Sequence, residues 1–298
     1  MMPSPVASTS EERRPSSAGP RVMSVVVHYR DLAQTQACLE ALQALRGAST
    51  EILVVDNSPA SEALAAFAHT DTAVISAGRN LGFAGGCNLA FEDLRARAAD
   101  YLWLVNSDAR VDPDALKALL DTAEANPTAG AIGCVLRDPR FPDRTEAFGG
   151  GCVSWWTGHI RHIRHNRQRL DYLTGASLLL RRTALEAIGP LDEAFFFLGE
   201  DVDLCLRLRH AGWDIGVADQ ALVWHGGAGR EPEASPFRTE WHTAAVVRLL
   251  RKHGRAAIVT TLPILGYALC RAAALRSPTL VTAAWRGWRR GWQTPVGT

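Results

Sequence analysis

The chain has 298 residues, of which 47% are hydrophobic and 21% charged, and its formal net charge is +1 at pH 7. These values are typical of a globular protein that can bury a full core, as one large domain or as one domain with an appendage. The near-neutral balance argues against nucleic acid as a partner of the main body. From residue 241 onward, however, the chain has nine Lys or Arg and no Asp or Glu, which suits an anionic surface.

The six cysteines are scattered along the chain without a CxxC pair. Four of them fall in apolar or helical runs, where a small buried thiol is the ordinary interpretation. This usage predicts reduced, structural cysteines and a cytosolic compartment. Residues 1–20 are rich in Ser, Pro and charge and have no apolar core, which predicts a disordered tail rather than a signal peptide.

Strand and helix patterns alternate in the first half of the chain. Such alternation predicts a parallel sheet with right-handed crossovers. The predicted strands cover residues 23–28, 51–56, 72–75, 101–105 and 131–135, and the helices cover 32–45, 62–68, 84–98 and 112–125.

The pattern becomes irregular after Arg137. Residues 140–151 are predicted to be a loop, and residues 152–163 a hairpin that turns at Thr157-Gly158. The remaining predicted elements are a glycine-interrupted strand at 172–181, helices at 183–188 and 201–211, short strands at 215–217 and 221–224, and helices beyond Phe237.

The tail from residue 237 is basic, apolar and helical. Its most apolar stretch, residues 256–269, is interrupted by Pro263 and is shorter than the roughly 20 residues that a membrane-spanning helix needs. Trp285, Trp288 and Trp292 alternate with arginines, a pattern typical of an interfacial anchor. A helical pair packed on the domain or on another subunit is the alternative, and the sequence leaves both open.

An apolar run ends abruptly at Asn106-Ser107-Asp108. In open α/β sheets, ligands sit beyond the carboxyl ends of the strands. A carboxylate there can hold a hard cation that a phosphate shares, although an ordinary strand-to-helix turn also favours these residue types.

Two further segments suit a nucleotide. Asp56 ends the run EILVVD, where its carboxylate can accept hydrogen bonds from a ribose or a base, or can simply cap a helix. The run GRNLGFAGGCN leads into a helix, and its glycines and free amides favour a diphosphate. Its spacing is not the dinucleotide-binding fingerprint.

Three carboxylates, Glu200, Asp201 and Asp203, crowd one helix start. An ionised carboxylate there can take a proton from an attacking hydroxyl, and a solvated acidic first turn is the alternative. His225 follows a strand and precedes a glycine-rich loop, which suits a metal ligand beside Asp108.

Seven segments in order, over about residues 22–252, resemble the inverting glycosyltransferases of family 2: VVVHYR, VVDNS, RNLGFAGGCN, LVNSDAR, LTGASLLLRR, FFFLGEDVDLCLRLRHAGW and VWHGGAG. The branch that they are most similar to is that of the bacterial rhamnosyltransferases and galactofuranosyltransferases. The resemblance implies an α/β chain with the GT-A fold, in which a Rossmann-like, mostly parallel central sheet is flanked by helices. With the tail predictions, the chain divides into a disordered segment (1–20), a GT-A domain (21–236) and a helical C-terminal extension (237–298).

The resemblance also implies the roles of individual residues. Asp201 is the expected catalytic base, and Asp108 and His225 are the expected ligands of Mg²⁺ or Mn²⁺. Because the first acid of the family's DxD motif is Asn106 here, more of the metal binding rests on those two ligands and the diphosphate. The nucleotide-sugar site is expected to include His28, Tyr29, Asp56, Arg79, Asn80, Gly85, Asn88, Asn106 and Ser107. The sugar and acceptor pocket is expected to include Gly175, Ala176, Glu200 and Asp203.

The expected reaction moves a sugar, with L-rhamnose from dTDP-L-rhamnose as the best candidate, to a hydroxyl of a cell-surface glycan or lipid-linked glycan. The partners are thus a dTDP- or UDP-sugar and that acceptor, in the cytoplasm or at the cytoplasmic face of the inner membrane. A nucleotidyltransferase is one alternative, but such an enzyme is expected to have a glycine-rich, basic phosphate loop directly after the first strand, where this chain has HYRD at 28–31. A non-catalytic nucleotide-sugar binding protein is the other, and the pair Glu200-Asp201 argues against it.

Overall fold

The computed structural model describes residues 19–59, 62–67, 72–97, 99–166, 169–226, 234–254 and 257–296, without the side chains of 62, 64, 94–97, 257 and 258. The tail predicted to be disordered, residues 1–20, therefore lies almost wholly outside the described residues. So does most of the glycine-rich loop after His225.

The order of elements confirms the alternation that the first half of the sequence predicts. The strands are β1 (Val22–His28), β2 (Glu51–Asp56), β3 (Ala73–Ser76), β4 (Tyr101–Asn106), β5 (Arg110–Val111), β6 (Ala129–Asp138), β7 (Phe141–Phe148), β8 (Gly150–Val153), β9 (Ile160–His162), β10 (Tyr172–Leu173), β11 (Ser177–Arg181) and β12 (Asp214–Trp224). The helices are α1 (Leu32–Gln43), α2 (Glu62–Phe67), α3 (Gly82–Arg97), α4 (Ala115–Ala125), α5 (Arg182–Ile188), α6 (Glu200–His210), α7 (Pro236–His253), α8 (Ala257–Ala274) and α9 (Pro278–Gln293).

The central sheet has the strand order β3-β2-β1-β4-β11-β6-β12-β5, and β7 adds to β6. The first four strands in this order are parallel, and so are β6 and β12. Because β11 runs antiparallel to both β4 and β6, the sheet is more mixed than predicted. The carboxyl ends of β1, β2, β3 and β4 meet at one edge, which is where the polar strand tips of the sequence come together.

Helices cover both faces of this sheet. Alternate side chains of each central strand enter opposite cores, as the period of two in a strand requires. In β4, for example, Leu102 and Leu104 pack with α3 and α6, whereas Trp103 and Val105 pack with α1 and α4. Burial on both faces explains why these strands are continuous apolar runs in the sequence.

The irregular middle of the chain forms a second, three-stranded sheet in the order β10-β8-β9. The hairpin predicted at residues 152–163 is confirmed, since β8 and β9 are antiparallel. The predicted loop at 140–151 is wrong, because β7 spans most of it. Only Ala147 of β7 is buried, so backbone pairing with β6 forms this strand without an apolar pattern to reveal it.

The C-terminal helices pack on the domain and on one another. Helix α9 lies close to α7, and a Cβ at Gly287 would come within 2.2 Å of the Glu240 carbonyl oxygen. In the described part of the chain, no helix is long and apolar enough to cross a membrane. All six cysteines are free, with Cys38, Cys87, Cys134 and Cys205 buried.

Candidate active site

Two neighbouring carboxylates begin α6 at the edge of a cleft. Gly199 precedes the helix with a φ of 94°, and Leu198 before it also has a positive φ, 69°. Such values are uncommon for a residue other than glycine, so this turn is tightly constrained. It places Glu200 and Asp201 in the first helical turn, where the positive end of the helix dipole favours negative charge.

The surroundings of these two carboxylates separate their charge states. Burial raises the pKa of Asp201, but backbone N–H groups of Gly175 (2.9 Å) and Val202 (2.8 Å) donate to its two oxygens and favour its ionised form. Burial and the charge of Asp201 raise the pKa of Glu200 to about 8, and its Oε2 has no hydrogen-bond partner among the described residues. Burial thus raises the pKa of both carboxyls, and the hydrogen bonds from Gly175 and Val202 favour Asp201 as the member that ionises first.

Asp203 lies on a different side of α6, which corrects the prediction that it lines the acceptor pocket. Its buried carboxylate accepts hydrogen bonds from Arg207, Lys252 and His253, each at 2.8 Å. Burial alone would raise the pKa of Asp203, but these three partners outweigh it and hold the pKa well below its ordinary value. Asp203 thus ties α6 to the end of α7.

The end of β4 faces the end of β12 across the cleft. The imidazole Nε2 of His225 lies 3.0 Å from Asn106 Nδ2 and 3.3 Å from Asp108 Oδ1. The Asn106 amide donates to Nε2 when that nitrogen is deprotonated, which is also the state that binds a metal. That nitrogen has one lone pair, so the Asn106 hydrogen bond and a metal ion would be alternatives at Nε2.

Asp108 and His225 offer one carboxylate and one imidazole; the carboxylate suits Mg²⁺ or Mn²⁺, and the imidazole suits a transition metal such as Mn²⁺ better than Mg²⁺. Across the described residues, no group of three His, Cys, Asp or Glu could hold a metal ion. Two protein ligands fit a metal whose other positions are taken by diphosphate oxygens and water. Ser107, between Asn106 and Asp108, is half-buried but does not line the cleft.

The cleft between these elements has a volume of about 420 Å³. A larger depression of about 940 Å³ lies at the opposite edge of the sheet, by the amino ends of β1, β2 and β4. Ligands of open α/β sheets bind beyond the carboxyl ends, so the smaller cleft is the candidate active site. It brings together seven of the predicted residues: Asn106, Asp108, Gly175, Ala176, Glu200, Asp201 and His225.

Further side chains line this cleft. His162, which with His159 and His165 forms a basic pattern that suggests an acceptor-side surface, comes from the small sheet together with Tyr172, which the sequence did not identify, and their side chains lie 3.5 Å apart. Two more residues that the sequence did not identify come from α7. Arg238 and His242 come from the first turns of α7. Helix α7 begins more than 30 residues after the start of α6, and no local sequence pattern assigns it to this cleft.

His28 and Asp56 end two adjacent parallel strands and are paired in register. Both are fully buried and engaged within the protein. The Nδ1 of His28 lies 2.7 Å from the Thr35 hydroxyl, and the Asp56 carboxylate accepts from the backbone N–H groups of Ser58 (3.0 Å) and Ala63 (2.8 Å). Asp56 thus bonds the start of α2, as the helix-cap alternative expects.

Asn57, which was not among the predicted site residues, holds the glycine-rich loop. Its amide donates to Asn80 Oδ1 (3.2 Å) and the Gly82 carbonyl (3.0 Å), and its oxygen accepts from the Leu81 N–H (2.9 Å). Gly82 has a φ of 75°, and a Cβ there would lie 2.4 Å from the Phe196 carbonyl oxygen. The loop therefore packs closely against the turn before α6.

The other predicted nucleotide residues divide into exposed and structural ones. Tyr29 and Arg79 are exposed near the same edge of the sheet. Asn88 donates to the Leu191 carbonyl and accepts from the Leu191 N–H, both at 2.9 Å, so it holds the segment before α6. Gly85 packs against Leu81, and neither Gly85 nor Asn88 lines the cleft.

Comparison with known proteins identifies the class to which this fold and site belong. The profile of the family described as "Glycosyltransferase like family 2" matches residues 20–252. The chain belongs to this family and is a glycosyltransferase.

Two relatives from Mycobacterium tuberculosis are among the similar proteins. The chain is 28% identical over 238 residues to an N-acetylglucosaminyl-diphospho-decaprenol L-rhamnosyltransferase, covering 70% of this chain and 78% of that protein. It is 32% identical over 220 residues to a galactofuranosyltransferase, covering 68% and 69% respectively.

Solved structures share the fold at lower identity. A mannosyltransferase from Pyrobaculum calidifontis, in complex with GDP-Man and Mn²⁺, has a TM-score of 0.55 at 20% identity and covers 93% of this chain and 87% of that one. TarS from S. aureus, residues 1–349 with UDP-GlcNAc, has a TM-score of 0.57 at 14% identity and covers 88% and 79%. These likenesses confirm the predicted GT-A fold.

Proposed function

We propose that the chain is an inverting, metal-dependent glycosyltransferase that moves L-rhamnose from dTDP-L-rhamnose to a hydroxyl of a cell-surface glycan or glycolipid. The observation that carries the proposal is the cleft itself, where Asp201 shares one cavity with Asp108 and His225. The choice of sugar is supported by the name of the rhamnosyltransferase relative, and UDP-galactofuranose is the competing donor that the second relative suggests.

Asp201 is proposed to act as the general base. Its carboxylate takes the proton of the acceptor hydroxyl as the oxygen of that hydroxyl bonds to the anomeric carbon. The bond from that carbon to the donor phosphate breaks on the opposite face, and the nucleoside diphosphate leaves with the electron pair. Glu200, protonated at neutral pH, can donate a hydrogen bond to a sugar oxygen beside Asp201.

Asp108 and His225 are proposed to hold Mg²⁺ or Mn²⁺, and a metal at His225 Nε2 would replace the hydrogen bond from the Asn106 amide. When bound, the metal ion neutralises charge that develops on the departing diphosphate. The carboxyl edge of β1 and β2, with His28, Asp56 and the exposed Tyr29, is the proposed nucleotide end of the site. Arg79, Asn80 and Ser107 are proposed to lie around the nucleotide or its phosphates.

The acceptor is proposed to be lipid-linked, since the rhamnosyltransferase relative is named for an acceptor on diphospho-decaprenol. A protein that works on such an acceptor at the cytoplasmic face of the membrane needs only peripheral contact with it. The basic C-terminal helices are the proposed contact.

A donor screen tests the function. Release of nucleoside diphosphate is measured from dTDP-L-rhamnose, UDP-galactofuranose, UDP-GlcNAc and GDP-mannose, with Mn²⁺ and an N-acetylglucosaminyl prenyl diphosphate. We expect acceptor-dependent release from dTDP-L-rhamnose. Turnover of a UDP-sugar alone would overturn the rhamnose assignment. A product that retains the anomeric configuration of the donor would overturn the inverting mechanism.

A further inference from the structure

A second cavity of about 590 Å³ continues from the candidate active site. It lies between the turn of the β8–β9 hairpin and helices α7 and α8. Ile160, Arg238 and His242 line both this cavity and the cleft that contains Asp201. The two cavities therefore lie side by side and share these three side chains.

The second cavity is cationic. Arg238 and Arg271 line it together with His159 and His242, and none of its described lining residues is acidic. Although His242 still reaches solvent, crowding by protein lowers its pKa to about 4, and the charges of Arg238, Arg271 and His159 add to this effect. A pKa of about 4 leaves His242 neutral at neutral pH, so the positive charge of the cavity comes from Arg238 and Arg271, whose guanidinium groups suit an anion.

The cavity opens onto an apolar surface of α8. Ile264 and Tyr267 line the cavity, and Tyr267 is also 66% exposed on the outside of the helix. Val259 and Leu262, which are 64% and 56% exposed, continue this surface at the helical spacing of one face. A cavity lined by two arginines thus adjoins an exposed apolar surface of α8.

We propose that the second cavity binds the diphosphate of a prenyl-diphosphate-linked acceptor, whose isoprenoid chain lies along α8. The proposal rests on the proposed function and deepens it by assigning the acceptor's anion and lipid to a site. In this arrangement the acceptor sugar enters the cleft at Asp201, and Arg238 and Arg271 bind the diphosphate through charge-assisted hydrogen bonds. The isoprenoid chain stays outside the active site in this arrangement, so the site does not select acceptors by the length of that chain.

Direct binding tests this site without any need for turnover. The full-length protein is titrated with farnesyl diphosphate in EDTA, with no donor, by calorimetry. Arg271→Gln is expected to raise Kd about 10-fold or more, because a hydrogen bond between charged groups is lost. Arg271→Lys keeps the charge and is expected to retain most of the affinity, and Arg289→Gln, on the exposed surface of α9, is the matched control with unchanged Kd.

Two further probes distinguish the sources of the anion. Inorganic pyrophosphate is expected to bind more weakly than farnesyl diphosphate, since it lacks the chain. Equal Kd values for wild type and Arg271→Gln would overturn the proposal. An equal loss of affinity for farnesyl diphosphate in Arg289→Gln would also overturn it. If Arg271→Gln weakened binding to phosphatidylglycerol vesicles as much as binding to farnesyl diphosphate, the arginine would belong to a general membrane-binding surface, and the proposal would again be overturned.

A transfer assay separates this proposal from the donor chemistry. N-acetylglucosamine is presented on farnesyl diphosphate and on a neutral octyl group. Arg271→Gln is expected to raise KM for the diphosphate acceptor about 10-fold or more and to leave kcat, donor KM and the octyl acceptor unchanged. Equal losses on both acceptors would refute a diphosphate subsite, whereas absence of transfer from every donor would refute the proposed function and leave the binding result standing.

Discussion

Replacement of Asp201 by Asn is expected to remove catalysis while keeping the site assembled. The amide oxygen of Asn can still accept the Gly175 N–H bond, which is 2.9 Å long in the wild type, so the turn that places residue 201 should persist. The amide cannot take a proton from the acceptor hydroxyl. Loss of a general base lowers kcat by about 10²–10⁴-fold, and we expect a value in this range.

The assay is the initial rate of nucleoside diphosphate release at saturating donor and acceptor, together with the Kd of the donor by calorimetry. Donor Kd is expected to change less than about 3-fold, because Asp201 acts on the acceptor. Glu200→Gln is the matched control: it removes the neighbouring carboxyl but leaves the base, so most of kcat should remain. An Asp201→Asn variant that keeps more than about a tenth of wild-type kcat would refute the assignment of the base.

The pH profile gives a second test of the same pair. Because burial raises the pKa of Asp201, activity should fall on acidification at a higher pH than an ordinary aspartate would give. Ionisation of Glu200, whose pKa lies at about 8, should appear as a separate alkaline change in kcat. Glu200→Gln should abolish the alkaline change and retain the acid limb. A profile that Glu200→Gln leaves unaltered would contradict this separation of roles.

Other parts of the site give three further predictions. His225→Ala should raise the Mn²⁺ concentration for half-maximal activity about 10-fold or more with stability unchanged, and an unaltered metal titration would remove His225 from the metal site. Gly82→Ala should lower the free energy of unfolding by more than about 2 kcal/mol, because a Cβ there would lie 2.4 Å from the Phe196 carbonyl oxygen. Gly78→Ala is the control: Gly78 also has a positive φ but has open space around it, so this variant should lower the free energy of unfolding by about 1 kcal/mol. Asp203→Asn should lower the free energy of unfolding, measured by thermal unfolding at pH 7, by about 3–5 kcal/mol. Because the pKa of the Asp203 carboxyl is lowered in the folded state, the difference in stability from wild type should vanish as the pH falls through that folded-state pKa.

Most of the central fold was predictable because its strands are buried on both faces. The runs at β1, β2 and β4 are continuous and apolar, so their bounds follow from the sequence to within a residue or two. β7 was not predictable, because a strand whose outer side chains are exposed has no such run. β12 was predicted as two short strands because a register shift between Val217 and Leu222 interrupts its pattern.

The sequence predicted which types of residue line the site better than it predicted which partners those residues contact. Asp108, Asp201 and His225 converge as their strand-tip and helix-start positions indicated. Asn88 looked equally suited to a ligand, but its amide is bonded to the segment before α6. A sequence records that an amide is present, and only the fold decides whether its hydrogen bonds go to a ligand or to the backbone. Arg238 was missed for a related reason, since α7 reaches the cleft by tertiary packing alone.

The three carboxyl groups at the start of α6 illustrate how one short segment can place neighbouring acids in three different surroundings. Asp203 accepts hydrogen bonds from Arg207, Lys252 and His253 and stabilises the fold, and backbone N–H groups of Gly175 and Val202 favour the ionised form of Asp201. For Glu200, burial and the charge of Asp201 outweigh one backbone hydrogen bond that lowers its pKa, so the folded state binds its proton more tightly than the unfolded chain does. Its contribution to stability is therefore present at acid pH and is lost as pH rises through about 8. Glu200→Gln should raise the melting temperature relative to wild type increasingly above neutral pH. A buried acid that weakens the fold is explained by a function at the cleft, and not by packing.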